Sequence, residues 1–525
     1  MIKFFRLLLL LVVSFQSFAQ RPIDVQSYYL SMSLMEPFNE ILCEIEIDIL
    51  FTEDCDAFVL DLVSQDEDGT GMLVTLVLEE DEEVNYEQTE NTLIIHPVYG
   101  QNGQDHRYTV FYRGIPKDGL VIGQNKFGNR TIFGDNWPNR AHNWFPCVDH
   151  PSDKATIGFL VLTSDEYNVV ANGILSIEET LDGGTYLAEY KSIYPLSTKV
   201  MVIGVAALVS EELENDHGIP HYNWVYPEDE EDGFHDMKVA ADPLDFFIKN
   251  IGSYPFDKLF NVQSTTRFGG MENAGCIFYD ENAVTGEGTM ENLIAHEIAH
   301  QWFGNSATEA DWPHLWLSEG FATYFTNLYL EDKYGRQHMN EQLIKDRKRV
   351  IRFHKASSTP VVDTISTDLM YLLNPNSYQK GSWVLHMLRN KIGDDAFWSG
   401  IRAYYEKYKY SNASTEDFMH VMEEVSGAKL STFFNQWLRQ TGHPMLSTEL
   451  TTDGSKLIIT QHQSSTFNFP LTILYNYEGG STQEATFEVF DHEPLYILLG
   501  DKKVTSVDLD PHVNLLFELV ETSER

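Results

Sequence analysis

Between Met290 and Asn305 the chain reads MENLIAHEIAHQWFGN, and this stretch constrains the rest more than any other. Leu293, Ile294, Ile298, Trp302 and Phe303 form an apolar stripe at helical spacing. His296 and His300 stand four residues apart, so they project from one face of that helix, one turn above the other. Two imidazoles placed in this way can grip one metal ion, with Glu297 beside them. Taken alone, the motif is good evidence for a metal site, the other reading being core histidines that flank a glutamate. A catalytic zinc takes three protein ligands and keeps a fourth position for water, so a third ligand is required. The segment HLWLSEGFATYF supplies one: Glu319 follows His300 after 18 intervening residues, on a second helical pattern, among Leu315, Leu317 and Phe321. A carboxylate in such surroundings is costly unless it is paired or metal-bound. A structural salt bridge would also meet that need, but beside H-E-x-x-H the metal reading is preferred. The expectation is one Zn2+ per chain on His296, His300 and Glu319, with Glu297 as general base.

The patterning around this core divides the 525-residue chain into several units. From Arg21 to Val209 it reads as strands; CEIEIDILF, for example, alternates apolar and acidic residues with period two. Near residue 234 the period becomes helical through MKVAADPLDFFIKNIG and SEGFATYFTNLYLEDKYG to STEDFMHVMEEVSG, with several segments stopping at Gly. After Pro444 short strands return, enough for a small β-sandwich. The expected architecture is multidomain α+β. Residues 20–209 would form an antiparallel β-sandwich or saddle, 210–441 a mostly helical catalytic domain, and 442–525 a small β-sandwich. The acidic runs Glu79 to Glu83 and Glu228 to Asp232 read as solvated loops.

Residues 1–19 read as a signal peptide. Lys3 and Arg6 precede an apolar core from Leu7 to Val13, and Ser17-Phe18-Ala19 offers a cleavage site. The protein is therefore expected to be exported, periplasmic or extracellular, with no membrane-spanning segment after cleavage. A net charge of −43 makes nucleic acid and anionic membrane surfaces poor partners. Four scattered cysteines, Cys43, Cys55, Cys147 and Cys276, match no metal or redox motif; buried thiols are the default, and one bridge stays open. Oligomeric state and the natural substrate are not legible.

These motifs together resemble the zinc-dependent aminopeptidases of the M1 (gluzincin) family. The resemblance rests on HEIAHQWFGN with LWLSEGFATYF, on GGMEN (Gly269 to Asn273) 22 residues before His296, and on NSYQKGSWVLHML, NWFPCVDHPSDKAT and QWLRQTGHP in family order. It implies a thermolysin-like fold for the catalytic domain and peptide substrates with a free N-terminus. It also implies substrate contacts from Gly269, Gly270, Met271, Glu272 and Asn273. Glu272 would hold the α-amino group, and the glycines would let the backbone lie close to the peptide. Tyr378 would donate to the oxyanion. Without the family, GGMEN is a Gly-rich turn with one exposed acid and Tyr378 a half-buried packing residue.

Two departures stand out. Asn136 and Trp137 occupy the neighbourhood where the family carries a Gln or Glu that touches the substrate amine, so Trp137 is expected to wall the first pocket instead. The chain also reads as a short form lacking the large C-terminal helical domain, which implies an open cleft and the loss of the basic groups that domain supplies for a substrate carboxylate. A thermolysin-like endopeptidase remains an alternative, opposed by Glu272. Epoxide hydrolysis, known in one branch of the family, and a non-catalytic peptide-binding scaffold are weaker readings, the latter because no ligand or base is lost.

Overall fold

A computed structural model describes residues 21–34, 39–490, 492–499 and 503–520. The signal-peptide reading of residues 1–19 falls outside the described residues. The chain is mixed α/β, rich in strands at its N-terminal side and in helices after residue 230.

The alternating segment Ile41–Phe51 shows how the first part is built. Ile41, Cys43, Ile45, Ile47, Ile49 and Phe51 are buried, and the acids between them face outward. A slip of one residue would bury Glu44, Glu46 and Asp48 instead, so the register is strongly specified. This strand pairs antiparallel with Ile23–Ser33 and Asp105–Ile115 inside an eight-stranded sheet. Ile23–Ser33 in turn pairs in parallel with Lys154–Ser164. A four-stranded sheet (including Arg130–Gly134 and Ile203–Ala206) and a three-stranded one share the same apolar core.

The expected switch to helices is only partly met, because a five-stranded mixed sheet intervenes. It runs Val209–Glu212, His221–Val225, Leu259–Ser264, Cys276–Asp280 and, at its edge, Gly270–Met271. Leu259–Ser264 is buried along its whole length, so it shows no alternation and its six residues carry little periodic signal. His221–Val225 and Leu259–Ser264 are parallel and need a crossover, which the helix Ala241–Asn250 provides.

The strand Cys276–Asp280 joins two cores. Cys276 and Phe278 pack into the core of the N-terminal sheets, while Ile277 and Tyr279 pack into that of the helices. The helical core is formed by Glu291–Ala299, Trp316–Tyr334, Arg336–Ala356, Gly381–Ile392, Asp394–Tyr408 and Thr415–Ser426. It continues into two small sheets, one built on Met445–Leu450 and the other on Phe469–Tyr477.

In the acidic runs, Glu80 to Glu83 are exposed about a turn as expected, but two parts depart from the loop expectation. Glu79 ends a strand and is buried, its carboxylate accepting from the Val98 N–H at 2.5 Å. Glu230, Glu231 and Asp232 form the first turn of the helix Glu230–Met237, where the helix dipole favours negative charge. All four cysteines are free thiols, three buried and Cys55 half-buried. Among the described residues no helix is long and apolar enough to cross a membrane.

Candidate metal centre and substrate cleft

The motif helix Glu291–Ala299 ends with His300 as its C-cap, so both imidazoles sit on its last turn, facing the helix Trp316–Tyr334. Their Nε2 atoms lie 3.1 Å apart. Glu319 Oε2 stands 3.4 Å from His296 Nε2 and 3.2 Å from His300 Nε2. The three donor atoms are within 4.8 Å of one another. The orientation of His300 is set from behind. Its Nδ1 lies 3.1 Å from the Phe303 carbonyl and 3.0 Å from Ser318 Oγ. An Nδ1–H donated to that carbonyl leaves the Nε2 lone pair directed at Glu319. Gly304, at φ +118°, makes room for this arrangement, since a Cβ there would stand 2.3 Å from Ser318 Oγ.

Two further carboxylates close the group. Glu272, Glu297 and His300 also bring donor atoms within 4.8 Å of one another. Glu272, Glu297 and Glu319 are only 5%, 4% and 3% exposed, yet none makes an ion pair with a lysine or arginine among the described residues. Glu272 is therefore not the exposed acid that the bland reading of GGMEN expects. Its Oε1 is buried with no hydrogen-bond partner. Burial, reinforced by Glu272 and Glu319 against the opposing pull of His300, holds the Glu297 carboxyl well above the usual range.

GGMEN is placed by side chains that sequence reasoning missed. Gln301 Nε2 and Asn305 Nδ2 donate to the Glu272 carbonyl at 3.0 and 2.6 Å, and Gln301 Oε1 accepts from the Gly275 N–H at 2.8 Å. Both lie in HQWFGN, so the segment that carries the second histidine also clamps the turn that carries Glu272. Gly270 and Met271 form the edge strand, with one side paired to Cys276–Asp280. Gly270 has a reason of its own: a Cβ there would meet Glu297 Oε1 at 2.4 Å. The carboxylate of Glu297 occupies the space a side chain would need. Gly269 and Met271 line a cavity together with Glu272 and Glu297, whereas Asn273 is fully buried behind the turn.

Tyr378 lies in a π-helical turn, Asn376–Lys380, of the kind that often marks functional positions. Its ring stacks on His296 at 6.0 Å between centroids. The turn reaches the metal group because Gly320 and Gly381 let their helices nearly touch: a Cβ on Gly320 would stand 2.9 Å from Gly381 Cα. Burial, then Glu319 and Glu272, pushes the Tyr378 phenol well above its ordinary value, so it remains a protonated donor.

These groups line a cavity of about 260 Å3 whose other walls are Trp137, Phe268, Leu293 and Leu373. Trp137 stands in that wall, as expected. Asn136 does not reach the cavity: it donates to the Thr198 and Met201 carbonyls at 2.9 and 2.6 Å and accepts from Trp144 Nε1 at 2.8 Å.

Residues 236–437 match the model of the peptidase family M1 domain. The glutamyl aminopeptidase of Bos taurus is 32% identical over 332 residues, 60% of this chain and 34% of that protein. Aminopeptidase A of Gloydius brevicauda is 30% identical over 391 residues, 70% and 41% of the two chains. Aminopeptidase M1-B of Oryza sativa subsp. japonica is 30% identical over 337 residues, 62% and 38%. The matched stretch thus spans roughly a third to two fifths of these relatives. The H-E-x-x-H helix with its distant glutamate, the GGMEN edge strand and the Tyr378 turn all fall within the matched segment, and that segment belongs to peptidase family M1.

Proposed function

We propose that the protein is an exported zinc aminopeptidase that removes N-terminal residues from peptides. The observation that carries this reading is the charge of the buried cluster. Glu272, Glu297 and Glu319 bring three carboxyl groups into one desolvated space, and none of them pairs with a lysine or arginine among the described residues. A divalent cation on His296, His300 and Glu319 and a substrate ammonium at the orphaned Glu272 oxygen balance them. The donor set, two imidazoles and one carboxylate, suits zinc.

Zinc bound there supplies Lewis acidity to the scissile carbonyl and lowers the pKa of water. Glu272 holds the α-ammonium and so fixes how far the chain end lies from the reacting carbonyl. The free side of the edge strand at Gly270–Met271 can pair with the extended substrate backbone. Glu297 in its carboxylate form accepts a proton from the attacking water and returns it to the leaving nitrogen. Tyr378, held neutral, donates its O–H to the oxyanion, which develops only as the carbonyl is attacked. The walls Trp137, Phe268 and Leu373 offer the first side chain an apolar surface and no cation. The N-terminal residue preferred is therefore apolar, in contrast to the acidic residue in the names of the glutamyl relatives.

Residues 1–19 support export, with a mature start at Gln20. The thermolysin-like character of the helical unit, the unit boundaries at 209/210 and 441/442 and the β-sandwich form of the last unit are part of the same reading.

The test compares a peptide with N-terminal Leu, its N-acetylated twin and the same peptide beginning with Glu, with mass spectrometry of the products. Stepwise loss of single residues from the free Leu peptide, none from the acetylated twin and at least roughly tenfold slower loss from the Glu peptide are expected. Internal cleavage of the acetylated peptide would make the protein an endopeptidase.

A further inference from the structure

The metal group opens on two cavities. The one that holds Glu272 shares Leu293, His296 and Tyr378 with a second, of about 380 Å3. If the amine sits at Glu272 and the scissile carbonyl lies between Glu297 and Tyr378, the part of the peptide beyond the cut runs into the second cavity. That cavity is lined quite differently from the first. Thr323, Asn327 and Gln342 contribute polar groups, and Lys345 and Arg349 contribute two cations.

Both cations come from the helix Arg336–Ala356, which stands out in this chain. Against an overall charge of −43, its 21 residues include seven basic and two acidic ones. The face that buries Met339, Leu343 and Val350 seats the helix on the core, and Lys345 and Arg349 lie on exposed positions beside the cavity. Lys345 makes no ion pair among the described residues. Among the described residues Arg349 pairs only with Asp346, at 3.7 Å. Asp346 is the one carboxylate in the lining; it lies buried beneath the helix, and burial pushes it up to about 6. At neutral pH the lining therefore carries two cations against one acid. These basic groups come from the helical unit itself and are separate from those a C-terminal helical domain would supply.

We propose that Lys345 and Arg349 form a subsite for a carboxylate of the peptide beyond the scissile bond, so that short peptides with a free C-terminus, or with an acidic residue there, are favoured substrates. The proposal rests on the aminopeptidase reading. A carboxylate from either source meets the same two cations.

Three peptides separate the sources: Leu-Ala-Ala with a free C-terminal acid, the same peptide with a C-terminal amide, and Leu-Ala-Asp amide. The free acid should exceed the amide in kcat/KM by roughly five- to tenfold, chiefly through KM, as expected for partly solvated charge pairs. The advantage should shrink as salt is raised from about 0.05 to 0.5 M. In K345Q/R349Q the ratio should fall towards one. A matching advantage for Leu-Ala-Asp amide assigns the subsite to side chains as well, and its absence limits it to the chain end. A ratio near one in the native protein, with both peptides trimmed, overturns the subsite and leaves the aminopeptidase reading standing. So does a ratio that survives K345Q/R349Q. If none of the peptides loses its leucine, the aminopeptidase reading fails and takes the subsite with it.

Discussion

Glu297→Gln should keep the fold and the metal and lose on the order of a thousandfold in kcat, within the range that general-base catalysis contributes. The amide has the shape of the carboxylate, so the cavity that Gly270 leaves for it stays filled. The donor atoms of His296, His300 and Glu319 are untouched, and metal content should match that of the native protein. What disappears is the acceptor for the water proton. KM should change little, because Glu297 acts when the water is deprotonated rather than when the peptide binds. Removing one of the buried carboxylates also relieves repulsion with Glu272 and Glu319, so the variant should be no less stable than the native chain. Steady-state kinetics with metal analysis on the same sample decides the matter. A rate within threefold of native would mean the base is another group. A rate lost together with the metal would mean Glu297 holds the site rather than working in it.

How far the sequence reveals this site follows from the range of each interaction. His296 and His300 are legible because helical spacing alone puts them on one face, and Glu319 because an acid among Leu315, Leu317 and Phe321 demands a partner. The burial of Glu272 is set by the fold instead: Gln301 and Asn305 draw its carbonyl inward from some thirty residues away. The role of Gly270 is invisible for the same reason, since the atom that excludes a side chain there belongs to Glu297. The strands Leu259–Ser264 and Cys276–Asp280 escaped because they are buried on both faces and lack the alternation that betrays Ile41–Phe51. The basic helix Arg336–Ala356 carries no motif in the sequence, and only its packing beside His296 and Tyr378 gives its charge a meaning.

Glu319→Gln should cost the metal, and with it essentially all turnover. The amide carries no charge and offers a neutral oxygen where zinc prefers a carboxylate, so two imidazoles remain to hold the ion. The same substitution should leave the apolar packing around the residue in place, because Gln has nearly the volume of Glu and Phe321 and Leu317 do not depend on its charge. Chelation gives a readout independent of activity. At a thousandfold excess of metal over its Kd, the native fold gains about 4 kcal/mol by mass action, and EDTA removes that gain. Thermal unfolding of the native chain should therefore move to lower temperature on chelation, whereas the melting curve of the variant should not move. Elemental analysis should give one zinc per native chain and well under a tenth of that in the variant after dialysis. Full zinc in Glu319→Gln would place the third ligand elsewhere. Glu272 would then be the group to examine, since its carboxylate shares the reach of His300 with Glu297.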